Sequence, residues 1–378
     1  MKNSFRWLIR DRRDWPTRPR RGAWLVPMLL AIWVVVQNSG SHWDQPIPRN
    51  AVPADTLIRP YEKHFGRLWQ LTFGGENAEA YFSSKGDKLI FQSTREGYPC
   101  DRQFVMDLRA GETKLVSTGR GRTTCGYFYD HDQRILFAST HLGSDACPPP
   151  PDMSMGYVWA LYPSYDIFTA RPDGSDLERL TETEGYDAEA TVSVDQKSII
   201  FTSVRDGDIE LYSMKPDGTG LKRLTNELGY DGGAFYSRNG KKICWRRDRL
   251  DSDSARAAYT ELLGRGLVRP TRMDLWVMNA DGSDKRQVTN KPGASFAPYF
   301  TPDGKKIIYS SNWENPRSRN FDLWIVGVKG GEPERITFDE QFDGFPMFSP
   351  DGKWLVFASN RGGKERGETN LFLAEWKK

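Results

Sequence analysis

The stretch "GRLWQLTF" (Gly66–Phe73) decides the fold, because it reads as the last piece of a unit whose earlier pieces do not precede it. Its phrase returns as "LERLT" (Leu177–Thr181), "LKRLT" (Leu221–Thr225), "KRQVT" (Lys285–Thr289) and "PERIT" (Pro333–Thr337), each time after a strand-like run and a turn. At the far end, "TNLFLAEWKK" (Thr369–Lys378) stops where another such phrase is due. If the units form a ring, the orphan strand completes the final one and no strand edge stays open at the join.

Between these two ends a pattern recurs about every 45 residues, the period of four-stranded propeller blades. The clearest copy runs from Tyr186 to Thr225. It parses as strands "EATVSV", "SIIFTSV", "IELYSMK" and "LKRLT", with Asp-Gly turns and alternating apolar residues. Six second strands align on one aromatic: Phe91, Phe137, Phe201, Trp245, Tyr309 and Phe357. A large flat side chain at a fixed place is expected to pack between neighbouring sheets. The spacing therefore predicts an all-β, six-bladed β-propeller over residues 64–378, closed by the N-terminal strand. Two long insertions interrupt it, His141–Tyr165 in blade 2 and Asp251–Arg272 in blade 4. Within the second, Ser254–Leu263 reads as a short helix capped by Ser252 or Asp253.

"SPDGKWLVFASN" (Ser349–Asn360), "MNADGSDKRQVT" (Met278–Thr289) and "RPDGSDLERLT" (Arg171–Thr181) resemble the repeats of the TolB-like propellers, the Asp-Gly variant of WD40-type repeats. The resemblance runs from about Leu68 to the C-terminus over six instances, which is far more specific than one match. It covers the propeller and not the separate α/β domain that precedes the propeller in TolB.

The N-terminal region is of another kind. Eight basic residues and two acidic ones precede Gly22, so the remainder of this +3 chain is slightly acidic. No basic run interleaved with aromatics marks a nucleic-acid surface, and none is expected as a partner. The apolar run "AWLVPMLLAIWVVV" (Ala23–Val36) is shorter than the roughly 20 residues of a comfortable bilayer span. Residues 1–41 are read as a basic leader and secretory signal, with an uncleaved anchor over 23–36 as the alternative. Either route places the body in the periplasm or otherwise outside the cytoplasm, with membrane contact only through this segment if it stays uncleaved. Residues 42–63 read as a proline-rich tether.

In a propeller the first strands line the channel, and loops on one face carry function. Acids gather where the first strands begin: Glu76, Glu79, Asp187, Glu189, Asp231 and Asp343. The position after each second strand forms a mostly basic outer ring, with Arg95, His141, Arg205, Arg249, Trp313 and Arg361. The ligand-binding expectation is Glu79, Asp187, Glu189, Asp231, Asp343, Arg95, His141, Arg205 and Arg361, roofed by the two insertions. Against it stands a plain alternative, that these acids and arginines pair within the ring as structural ion pairs.

Of four cysteines, Cys244 lies inside a second strand and reads as a small buried hydrophobe. Cys100, Cys125 and Cys147 fall on the loop-rich face, and two of them are expected to bridge in an exported protein. Cys100 with Cys147 joins adjacent blades, and Cys125 with either remains open. With His141 they match no zinc spacing, so no metal and no cofactor is expected. No nucleophile elbow, zincin helix or phosphate loop is present. The preferred function is a non-catalytic binding or scaffold module for an envelope protein, peptide or glycan. The alternative is a carbohydrate-active enzyme, glycosidase or lyase, working through channel carboxylates.

Overall fold

Cross-strand aromatic pairs organise every blade. In the computed structural model, which describes residues 47–377 apart from Glu96, each second-strand aromatic faces an aromatic of the third strand. The pairs are Phe91–Phe104, Phe137–Phe168, Phe201–Tyr212, Trp245–Trp276, Tyr309–Trp324 and Phe357–Phe372. All six second-strand rings are fully buried. Such pairs add directional packing to the apolar area they bury, and their recurrence fixes the register of each sheet.

Among the described residues six antiparallel blades form: five have four strands in chain order from the channel outward, and the last has three in chain order followed by two N-terminal strands. Blade 1 begins at Asn77–Phe82, blade 2 at Thr123–Tyr129 and blade 3 at Asp187–Val192. Blades 4, 5 and 6 begin at Asp231–Tyr236, Ser295–Phe300 and Asp343–Phe348. The orphan strand, Phe65–Gln70, pairs with the last strand, Asn370–Trp376, through Leu68–Ala374, Trp69–Leu373 and Gln70–Phe372. The ring is thus closed as the sequence predicts.

The described part of the stretch read as a tether, 47–63, is folded onto this closing blade. Val52–Pro53 adds a fifth strand against Gln70 and Trp69. Proline is tolerated there because an edge strand needs no amide on its outer side. Just beyond, Glu62 is 3% exposed and bonds both terminal nitrogens of Arg361 at 3.1 and 3.0 Å. Arg59 reaches Asp339 at 2.6 Å. The leader and apolar segment, 1–41, lie outside the described residues. Among the described residues no helix is long and apolar enough to cross a membrane.

The helix of the blade 4 insertion spans Asp253–Leu263, and the Ser252 hydroxyl accepts from the Ala255 amide at 3.1 Å. This is the expected N-cap, satisfying one of the free amides of the first turn. Tyr259 anchors the helix by donating to Asp208 of blade 3 at 2.5 Å.

Candidate functional site

The inner strands share one irregularity that builds the site. In all six, the register with the second strand shifts after the second residue, so each carries a bulge. The third residue of each first strand takes a positive φ: Glu79 52°, Cys125 54°, Glu189 58°, Gly233 59°, Ala297 48° and Phe345 55°. A bulge re-aims the side chain it carries. Here it turns six equivalent residues toward one mouth of the channel, and all six line a cavity of about 560 Å³.

The first residue of each inner strand behaves differently. Asn77, Thr123, Asp187, Asp231, Ser295 and Asp343 are at most 3% exposed. Asp187 takes both its oxygens to Arg205 at 3.0 Å. Asp343 is held by Arg361 at 2.8 Å, and burial raises its pKa. Asp231 accepts from the Trp245 indole at 2.5 Å, and burial drives its carboxyl well above the usual range. The basic ring is likewise a brace. The guanidinium groups of Arg95, Arg205 and Arg361 lie over Phe91, Phe201 and Phe357 of their own blades at 5.7, 5.1 and 5.2 Å. Arg249 pairs with Asp274 at 2.6 Å. His141 is buried, 2.8 Å from the Ser139 hydroxyl, and burial lowers its pKa. Of the nine expected ligand residues, the structure brings Glu79 and Glu189 together at the cavity. It places Asp187, Asp231, Asp343, Arg205 and Arg361 in the frame of the blades, with Arg95 and His141 packed on aromatic rings.

Within the cavity Glu189 is saturated. It accepts from the Tyr230 hydroxyl at 2.8 Å, the Thr202 hydroxyl at 2.8 Å and the Gly233 amide at 2.9 Å, and it pairs with Arg246. A side chain at Gly233 would collide with the Arg246 guanidinium, so glycine is needed there on spatial grounds as well. Asp101 is held by Arg122 at 3.2 Å, and Glu76 is exposed. Glu79 stands apart. Burial pushes its pKa up to about 7; a hydrogen bond from Cys125 opposes the rise, and the Glu189 charge adds to it. The Cys125 thiol is in turn pushed well above its usual range, chiefly by burial.

The floor is aromatic. Tyr81 packs on Tyr127 and Phe235 at 5.7 and 5.4 Å, and Phe235 packs on Tyr299 at 5.5 Å, so rings from four blades plug the channel. The roof comes from both insertions, as their length suggests. Trp159–Ala160 of blade 2 pairs with Leu267–Val268 of blade 4 in a small two-stranded sheet. Trp159 meets Tyr230 edge-on, and Arg246 lies 5.3 Å over the Trp159 ring. The roof is tied down by a disulfide between Cys100 of blade 1 and Cys147 of the insertion, which resolves the open pairing. Cys125 and Cys244 are free thiols, Cys244 fully buried as expected. Among the described residues no three His, Cys, Asp or Glu side chains are grouped to hold a metal ion.

Sequence reasoning did not find Arg246, Trp159, Tyr230 or the cavity role of Cys125. One signal was available. Where the other second strands carry Gln92-Ser93, Ala138-Ser139, Thr202-Ser203, Ser310-Ser311 and Ala358-Ser359, blade 4 carries Arg246-Arg247.

Fold and site thus define a six-bladed propeller with a roofed, acid- and aromatic-lined cavity at one mouth. The family described as the TolB beta propeller domain (PD40) matches residues 249–366. A putative TolB from Agrobacterium tumefaciens superposes with a TM-score of 0.54 at 18% identity, over 80% of this chain and 91% of that one. TolB from Acinetobacter baumannii gives 0.52 at 18%, over 81% and 66%. An oligogalacturonate lyase in complex with manganese gives 0.51 at 15%, over 88% and 97%. No curated protein sequence matches. The resemblance to TolB-like propellers read from the repeats is shown. At these identities the structural likenesses speak for the fold alone.

Proposed function

We propose that this protein is an extracytoplasmic, non-catalytic binding module that seats a peptide or glycan segment of an envelope component in the roofed cavity. The observation that carries this reading is the state of the cavity acids. Glu189 and Asp101 are each held by an arginine and Glu76 is exposed, which leaves Glu79 alone at depth. Hydrolysis of a glycosidic bond needs two available carboxyl groups about 5 to 10 Å apart. Binding needs an enclosed apolar surface with a few placed polar groups, which is what the aromatic walls and Glu79 supply. The Cys100–Cys147 bridge fits an oxidising compartment, in keeping with the reading of residues 1–41 as an export leader. The slightly acidic body gives no purchase to nucleic acid.

The test is capture from envelope extracts by the wild type and by a Trp159→Ala, Glu79→Gln variant. Loss of specific partners in the variant is expected, and unchanged capture would remove the cavity as the binding surface. One observation favours the enzymatic alternative. A carboxyl group with a pKa near 7 is suited to general acid work at neutral pH. Release of new chain ends from oligosaccharides by the wild type, abolished in Glu79→Gln, would install that reading instead.

A further inference from the structure

We propose that the cavity takes a ligand bearing an ammonium group, seated on Glu79 and enclosed by the ring faces of Tyr81, Tyr186, Trp159 and Tyr162. This deepens the binding reading and rests on it. Three observations carry it.

The first is charge. Four carboxylates line the cavity (Glu76, Glu79, Asp101 and Glu189) against two guanidinium groups, Arg122 and Arg246. Both guanidinium groups are already committed, to Asp101 and to Glu189. Above about pH 7, where Glu79 is ionised, an anionic ligand, such as an acidic sugar, would add to an unbalanced negative field. A neutral one would leave that field uncompensated. A cation balances it, and the aromatic walls lower the local dielectric, so charge pairing counts for more.

The second is the wall. The cavity already uses ring faces to hold a cation, since Arg246 lies 5.3 Å over Trp159 and 4.9 Å over Tyr230. Tyr81, Tyr162 and Tyr186 line the same open volume. Aromatic walls with one acid are the recurring means of holding a quaternary or primary ammonium group.

The third is protonation. Glu79 is faced by Cys125 from blade 2, Glu189 from blade 3 and Arg246 from blade 4, with Asp101 further out. Burial keeps its proton on until about pH 7. A bound cation favours the carboxylate, so its arrival releases that proton to solvent.

Calorimetry on the full chain, with choline and its neutral carbon isostere as probes, tests the proposal. Choline is expected to bind about tenfold or more tightly than the isostere, the ratio that a single cation–π contact or ion pair supplies. Glu79→Gln should lower choline binding about tenfold more than isostere binding, leaving only the preference that the rings supply. Because choline does not titrate, its affinity should rise about tenfold between about pH 6 and about pH 8 as Glu79 ionises, and become flat in Glu79→Gln. Equal binding of choline and isostere, no binding of choline, or a flat wild-type profile would each overturn the proposal. If the isostere or a neutral sugar such as N-acetylglucosamine binds and choline does not, the binding reading survives and the cation is lost. If neither these probes nor extract components bind, both readings fall together.

Discussion

Asp187 and Glu189 stand two positions apart on one strand, yet they serve different parts of the molecule. Asp187 is shut into its blade by Arg205. Glu189 turns into the cavity, where four groups from three strands meet it. The bulge between them makes the difference, and the same division repeats around the ring. First positions belong to a frame whose polar groups are largely satisfied internally. Third positions belong to a mouth where one half-buried carboxyl is held protonated up to about pH 7. A repeat can thus carry a braced frame and a cavity lining on neighbouring residues, because one inserted backbone twist separates them.

The largest test of the division strikes the frame. Arg361→Leu strands Asp343 and Glu62 without their shared cation in the closing blade. We expect a loss of about 3–5 kcal/mol in urea unfolding. A loss under about 1 kcal/mol would show that the frame does not depend on these pairs. Next comes the roof. Replacing Cys100 and Cys147 with serine opens a loop spanning a sequence separation of 47, and about 2–4 kcal/mol should go. Limited proteolysis should then cut within His141–Tyr165 before the blades. Cleavage elsewhere first would place the disulfide's role in the frame.

Glu79→Gln has the opposite sign. The folded pKa of about 7 lies above the ordinary 4.5, so the native state holds the proton more tightly than the unfolded chain. Stability is therefore intact below 4.5, falls as pH rises from 4.5 to about 7, and stays reduced above that. The amide escapes this loss. Glu79→Gln should match the wild type near pH 4 and exceed it by about 2–3 kcal/mol near pH 8. No pH-dependent gain would mean that the mouth stores no such cost. The smallest effect is at the roof's helix, where Ser252→Ala should cost about 1 kcal/mol, read as faster amide exchange over Asp253–Leu263.

The architecture was legible because it repeats. Six aligned aromatics, one orphan phrase at the start and one phrase missing at the far end leave few alternatives to a ring, and the Ser252 cap announces its helix. The site was legible only in part. Alternation by twos puts first and third strand positions on one face, so Asp187, Asp231 and Asp343 were grouped with Glu79 and Glu189. The bulge that separates them leaves no single-residue mark, since glutamate, cysteine, alanine and phenylalanine all occupy it. The pairing of Trp159–Ala160 with Leu267–Val268 was out of reach. Two short strands from distant insertions carry too little pattern to be matched by sequence. Val52–Pro53 was hidden by a proline-rich stretch that reads as unstructured.

The join between Leu68–Gln70 and Phe372–Ala374 also sets a timetable. An edge made among the first blade-forming residues has no lawful partner on that side until Phe372–Ala374 has emerged, behind all six blades. Until then its backbone stays a free template, open to any passing strand. Assembly of this wheel must therefore be a late event, sensitive to whatever shields that edge during synthesis.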